Sequence, residues 1–150
     1  MTFKRSFAWT LAAVAVFLSA CAQAPSRVHR GQVDAVLDQQ PDAGKYFVTI
    51  GIGGSDPKLQ SDTQRKALAR DAAIVKAQYE MLSMIKGVTV KGGVKVERAM
   101  ETDSTLETEI NEAIKGAEIV KSEFTGDNGC VVTLRLPKSR LERYMGVQFE

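Results

Sequence analysis

The chain has 150 residues, of which 44% are hydrophobic and 25% charged, with 20 Lys and Arg against 18 Asp and Glu. Lys4 and Arg5 are the only charged residues among the first twenty, so the rest of the chain carries as many bases as acids and offers no net field or basic stripe to recruit nucleic acid. Two cysteines, Cys21 and Cys130, exclude a disulfide framework, and the length suits one domain that buries a core without staples.

Residues 1–20 read as a secretory signal peptide. Lys4 and Arg5 form a charged start, Phe7 to Leu18 is apolar apart from Thr10, and Leu18-Ser19-Ala20 leads into Cys21. The apolar run is shorter than the roughly 20 residues a bilayer core requires, which argues against an uncleaved anchor. An ordinary cleaved signal is the simpler alternative. The order resembles a bacterial lipoprotein signal with its lipobox. That resemblance implies that Cys21 receives a diacylglycerol thioether, that the chain is cut before it, and that the new amine is acylated. Each buried methylene contributes about 0.8 kcal/mol, so several acyl chains on one residue make attachment effectively permanent. Ala22 stands where lipoproteins retained at the inner membrane usually carry Asp, so the same resemblance directs the product to the outer membrane. Membrane lipid, held through Cys21, is the first partner expected.

Residues 21–44 comprise the lipidated cysteine and a flexible tether, with Pro25, Gly31, Pro41 and Gly44 among Gln23, Gln32, Gln39 and Gln40. Val28, Val33, Val36 and Leu37 allow a short helical turn inside it. The folded body is expected over residues 45–150. Tyr46 to Ile52 predicts a strand with Val48, Ile50 and Ile52 on one face and Phe47 and Thr49 on the other. The run Gly51-Ile52-Gly53-Gly54 ends it, and Asp56-Pro57 marks a loop. Ser61 with Gln64 forms a capping box for a long helix. Leu68, Ala72, Val75, Tyr79, Leu82 and Ile85 fall at steps of three and four and predict its apolar stripe. Ala69, Ala73 and Ala77 run beside that stripe and let the helix sit close to a sheet, and Gly87 stops it.

Val88 to Glu97 reads best as one continuous strand, which keeps Val88, Val90, Val94 and Val96 on one face. A three-residue loop pairing Val90 with Val94 also preserves that parity. Ser104 with Glu107 is a second capping box, opening a helix with Leu106, Ile110, Ala113 and Ile114 on one face, ended by Gly116. Glu118 to Thr125 and Cys130 to Leu136 flank Gly126-Asp127-Asn128-Gly129 and predict a hairpin. Pro137 stops the last strand, and Ser139 to Met145 predicts a short terminal helix. The expected fold is α+β: one mostly antiparallel sheet of about four strands, a long and a shorter helix packed on it, and a short C-terminal helix.

Residues for chemistry are sparse. His29, the only histidine, lies in the tether and reads as a solvated side chain, and there is no Ser/His/Asp set or Cys/His metal spacing. Gly51-x-Gly53 hints at dinucleotide binding, but the helix starts several residues too late, so a structural turn is the better reading. Glu101, Asp103, Glu107, Glu109 and Glu112 cluster near the second helix and read as a solvated face favouring its positive start rather than as a cation site. Cys130 shares parity with Val132, Leu134 and Leu136 and should be buried. Lys91, Lys95, Arg135, Lys138, Arg140 and Arg143 read as solvated bases, with anionic headgroups as the sharper reading. No catalytic residue, metal ligand or cofactor is assigned, and the chain is not expected to be an enzyme.

The Gly51-x-Gly53-Gly54 strand end, the alanine-rich helix from Ala67 to Ile85 and the closing Val131-Val132-Thr133-Leu134-Arg135-Leu136-Pro137 resemble the LPP-twenty lipoprotein family over residues 45 to 140, together with the lipobox. The resemblance implies an outer-membrane lipoprotein without catalytic residues and suggests a role in flagellar assembly or motility, as a ring or disk subunit. Two readings follow. One is a structural lipoprotein that forms a homo-oligomer or docks on envelope or flagellar proteins. The other is a periplasmic ligand-binding module with a pocket between the long helix and the sheet.

Overall fold

The computed structural model describes residues 25–33, 44–146 and 148–149. The signal peptide, Cys21, Ala22, and the Val36 and Leu37 part of the tether lie outside the described residues. Strands β1 (Val28–His29) and β2 (Gln32–Val33) pair antiparallel across Arg30 and Gly31. Both turn residues have positive φ, 53° and 79°, the twist-compatible geometry of a two-residue hairpin. This hairpin replaces the helical turn expected around Val28 and Val33.

The body runs β3 (Tyr46–Gly53), α1 (Asp62–Gly87), β4 (Thr89–Val90), β5 (Val94–Lys95), α2 (Val96–Thr102), α3 (Ser104–Lys115), β6 (Glu118–Phe124), β7 (Cys130–Pro137) and α4 (Lys138–Met145). The fold is α+β. Its main sheet has the order β3-β7-β6, antiparallel throughout, with α1 packed on one face. Central β7 pairs Leu136 with Phe47, Leu134 with Thr49, Val132 with Gly51 and Cys130 with Gly53.

The joint between β3 and α1 is built from the smallest residues available. Ala69, Ala73, Ala77, Met81 and Ile85 of α1 are fully buried. A Cβ on Gly51 would stand 2.0 Å from the Ala73 carbonyl oxygen, and one on Gly53 would stand 1.9 Å from that of Ala69. Thr49 Oγ1 donates a hydrogen bond to the Ala77 carbonyl at 3.0 Å. Four helical residues rise about 6.0 Å and two strand residues about 6.6 Å, so successive turns of α1 meet alternate residues of β3. Side chains on both elements grow in the same direction, from Gly53 and Ala69 at one end to Phe47, Met81 and Ile85 at the other. Val96, Met100, Ile110, Leu141 and Phe149 complete the core, with Phe149 edge-on to Phe47 at 5.3 Å between ring centres.

Three expectations are corrected. The continuous strand over 88–97 does not form: Gly92 and Gly93 take φ of 115° and 77° and reverse the chain, so Val90 pairs with Val94 in a small separate sheet. The main sheet therefore has three strands. Val96 then opens α2, a helix absent from the sequence reading, which buries only Val96 and Met100. Helix α3 is capped by Asp103 rather than Ser104; the carboxylate accepts from the N–H groups of Thr105 and Leu106 at 2.9 and 3.2 Å. The third correction is the apolar stripe of α1: Ala69, Ala73 and Ala77 meet the sheet as expected and Ile85 is buried beside them, but Leu68, Ala72, Val75 and Tyr79 are exposed on the opposite side of the helix and Leu82 is half-buried. The Ser61 cap of α1, the β6–β7 hairpin and the C-terminal helix form as the sequence predicts.

Candidate functional site

Because the inner face of α1 is committed to alanines over its first turns, with Met81 and Ile85 buried only farther along, several of its larger apolar residues point outward. Leu68 is 53% exposed, Val75 and Tyr79 are each 65% exposed, and Ala72 lies exposed between them. Leu82 continues the line, half-buried. Beside its C-terminal half runs a groove of about 400 Å³ between α1 and α3, bordered by Val75, Tyr79 and Leu82 on one side and by Asn111, Ile114 and Lys115 on the other. Lys76 flanks the stripe, paired with Glu80 at 2.6 Å and with its ammonium 5.3 Å from the centre of the Tyr79 ring. The hydrogen bond to Glu80, and then its charge, hold the Lys76 ammonium above its ordinary range. An apolar row of this spacing on a preformed helix can bind another apolar helix or surface; it carries no group for chemistry.

A second concavity, of about 540 Å³, lies between the β1–β2 hairpin and the loops at one end of the main sheet. Arg30, Gly31 and Val33 face Gly53, Gly54 and the Thr125–Gly129 turn across it. The hairpin is tied to the body at several points. Glu123 on β6 accepts from the Ser26 hydroxyl and, at 2.7 Å, from the Arg27 N–H, while the Gly126 N–H donates to the Gly31 carbonyl at 2.8 Å. Burial pushes the Glu123 carboxyl up, but the bonds from Ser26 and Arg27 and the charge of Lys121 outweigh it and hold it below the ordinary glutamate range. In the turn, the Thr125 hydroxyl and then the Gly129 N–H hold the Asp127 carboxyl low. Ser55 Oγ donates to the Asp127 carbonyl at 2.5 Å.

The residues singled out by sequence are dispersed over this frame. Cys21 lies outside the described residues. His29 is exposed on β1. Gly51 and Gly53 lie inside β3 rather than in the structural turn expected of them, and face the α1 backbone so closely that no cofactor or pocket fits between them and the helix. Of the acidic group, Asp103 is the α3 cap, and no three His, Cys, Asp or Glu side chains converge to hold a metal among the described residues. Cys130 is fully buried under α1 and unpaired, and burial pushes its thiol up. The bases are taken up locally: Arg135 with Glu118 at 2.7 Å and against the Tyr46 ring, Lys138 over Phe47, Arg140 on the Gly116 carbonyl at 3.0 Å, and Lys91 on Gln148 at 2.7 Å. Lys95 and Arg143 are exposed.

The sequence sets Ala69, Ala73 and Ala77 against the sheet, as found, but helical periodicity does not say that the apolar row beside them stays exposed. Sequence reading missed Glu123, whose partners sit 96 and 97 residues away. No helix among the described residues is long and apolar enough to cross a membrane. No family model matches the chain, and no curated protein or solved structure matches it either.

Proposed function

We propose that this chain is a lipid-anchored protein of the bacterial outer membrane with a non-catalytic, structural role in the cell envelope. The observation that carries the proposal is the Lys4-Arg5 start and apolar run ending in Leu18-Ser19-Ala20-Cys21. The body adds support of its own: its longest helix leaves a row of large apolar side chains to solvent, as an assembly subunit requires. The resemblance to the LPP-twenty family extends the proposal to flagellar assembly or motility. Metabolic labelling with a fatty acid tests the anchor. The wild-type chain should take label and sediment with outer membranes, whereas Cys21→Ala should take none and be released; label persisting in the variant would remove the assignment. Loss of motility on deletion, with growth unchanged, is the expected result for the flagellar role.

The cleft between the β1–β2 hairpin and the Thr125–Gly129 turn favours a second reading, an anchored periplasmic ligand-binding module. Its backbone carbonyl and N–H groups and the Arg30 and Asp127 side chains suit a small polar ligand. A thermal-shift screen of small saccharides and peptides, repeated on Asp127→Asn, separates the two readings.

A further inference from the structure

We infer that the outer face of α1 is a self-association surface that pairs in parallel with α1 of a second copy. The inference rests on the assembly reading and adds to it the element, the orientation and the ion pairs. Leu68, Ala72, Val75, Tyr79 and Leu82 follow steps of four, three, four and three, the a/d spacing of a coiled-coil seam rather than the wider stripe of a helix lying on a core. The core-facing role is already filled on the opposite side of the helix by Ala69, Ala73, Ala77, Met81 and Ile85. With Leu68, Val75 and Leu82 at d and Ala72 and Tyr79 at a, Asp71 falls at g and Lys76 at e.

The flanks therefore carry opposite signs, and that selects the occupant. In a parallel pair, Asp71 of each copy faces Lys76 of the other, giving two complementary contacts related by the twofold axis. In an antiparallel pair centred on Val75, Lys76 meets its own equivalent and repels it. An anionic membrane surface would meet the Asp71 carboxylate at the middle of one edge of the seam and only Lys76 as a base at the other. Lys76 already touches Glu80, but an ammonium has three donors and can donate to a second carboxylate. Two heptads are short for an isolated coiled coil, yet here the helix is preformed on the sheet, so pairing does not have to order it. Anchoring copies in one membrane further raises their effective concentration.

The test uses the full acylated chain in membranes. Leu68→Cys, Val75→Cys and Thr105→Cys, the last exposed on α3, are each treated with a mild oxidant that joins two thiols as a disulfide. Rapid dimer formation at both residues 68 and 75, and not at 105, is expected. An antiparallel seam centred on Val75 puts the two residues 68 about 21 Å apart along the axis and leaves them uncrosslinked. Light scattering on the detergent-solubilised wild type and on Val75→Glu runs alongside, with thermal unfolding to verify that the variant is folded. The mass should fall to that of a monomer in Val75→Glu. An oligomer that persists in Val75→Glu, with no crosslink at 68, overturns this seam and leaves the assembly reading standing. A monomer in the wild type overturns both. Vesicle binding by Cys21→Ala that is lost in Cys21→Ala/Val75→Glu, without crosslinking, would assign the stripe to lipid and overturn the pairing.

Discussion

Along one face of α1 lie Ala69, Ala73 and Ala77, none exposed; along the other lie Leu68, Val75 and Tyr79, each more than half exposed. Judged by side-chain hydrophobicity alone, the two faces should be exchanged, since a fully buried Leu or Val contributes about 1.5–3 kcal/mol and Ala far less. The inner face wins because its partner strand presents glycines. At Gly51 and Gly53 the strand backbone approaches the helix backbone directly, and every side chain there must be minimal. Burial is thus decided by how well two surfaces fit, and the rows with the larger residues are left for something else.

The sharpest way to break this contrast is to put bulk into the inner joint. Gly53→Val places a Cβ against the Ala69 carbonyl, and because backbone rather than a flexible side chain must yield, the loss should be at least about 3 kcal/mol. Urea denaturation followed by circular dichroism reads it as a lower midpoint or an unfolded chain. A smaller effect is expected from Thr49→Val, which keeps the shape and removes the hydroxyl bonded to the Ala77 carbonyl; a loss of about 1 kcal/mol on the same urea curve is expected.

The hairpin clasp on the far side of the sheet gives a pH-dependent contrast. Because Glu123 is held below its unfolded value, its contribution is complete at pH values above the ordinary glutamate range and is lost as the pH falls through its lowered folded value. The amide signal of Arg27, which donates to Glu123, should titrate with a midpoint below that of free glutamate, and Glu123→Gln should abolish the titration. The smallest effect belongs to the outer stripe. At high dilution, Val75→Ala should change the unfolding free energy by no more than about 0.5 kcal/mol. A loss comparable to that of Gly53→Val would mean that the outer row is part of the core after all.

Elements whose signals are local were legible in the sequence. Alternation marked β3, the Gly126–Gly129 turn marked β6 and β7, and Ser61 marked the start of α1. The parity that placed Cys130 inside was also sufficient, because β7 is central and has one face under a helix. What failed needed knowledge of a partner. Four valines of one parity over 88–97 suggested a strand, yet Gly92 and Gly93 both reach positive φ at no steric cost, and the reversal puts Val94 at 44% exposure while Val96 enters α2. Helix α2 is too short, at 7 residues, to show a period. The candidate site was the least legible part: the spacing marks the apolar row and the alanines beside it, but only the packing shows that Ile85 joins the core while Leu68, Val75 and Tyr79 stay exposed.

The two glycines of β3 also police alignment while the domain assembles. If the strand slid by two residues in one direction, Thr49 would enter the slot of Gly51; in the other, Ser55 would enter the slot of Gly53. A slip by one residue in either direction would bring Ile50 or Ile52 into a glycine slot. Each of these puts a Cβ about where 1.9 or 2.0 Å is all the space there is, so α1 cannot close on a misaligned strand. In an ordinary half-buried strand parity rejects a slip of one residue, but a slip of two keeps the apolar face inward and exchanges one side chain for a similar one. Here a wrong alignment is rejected at the backbone, before any side chain is fitted, and only the correct one lets the helix dock.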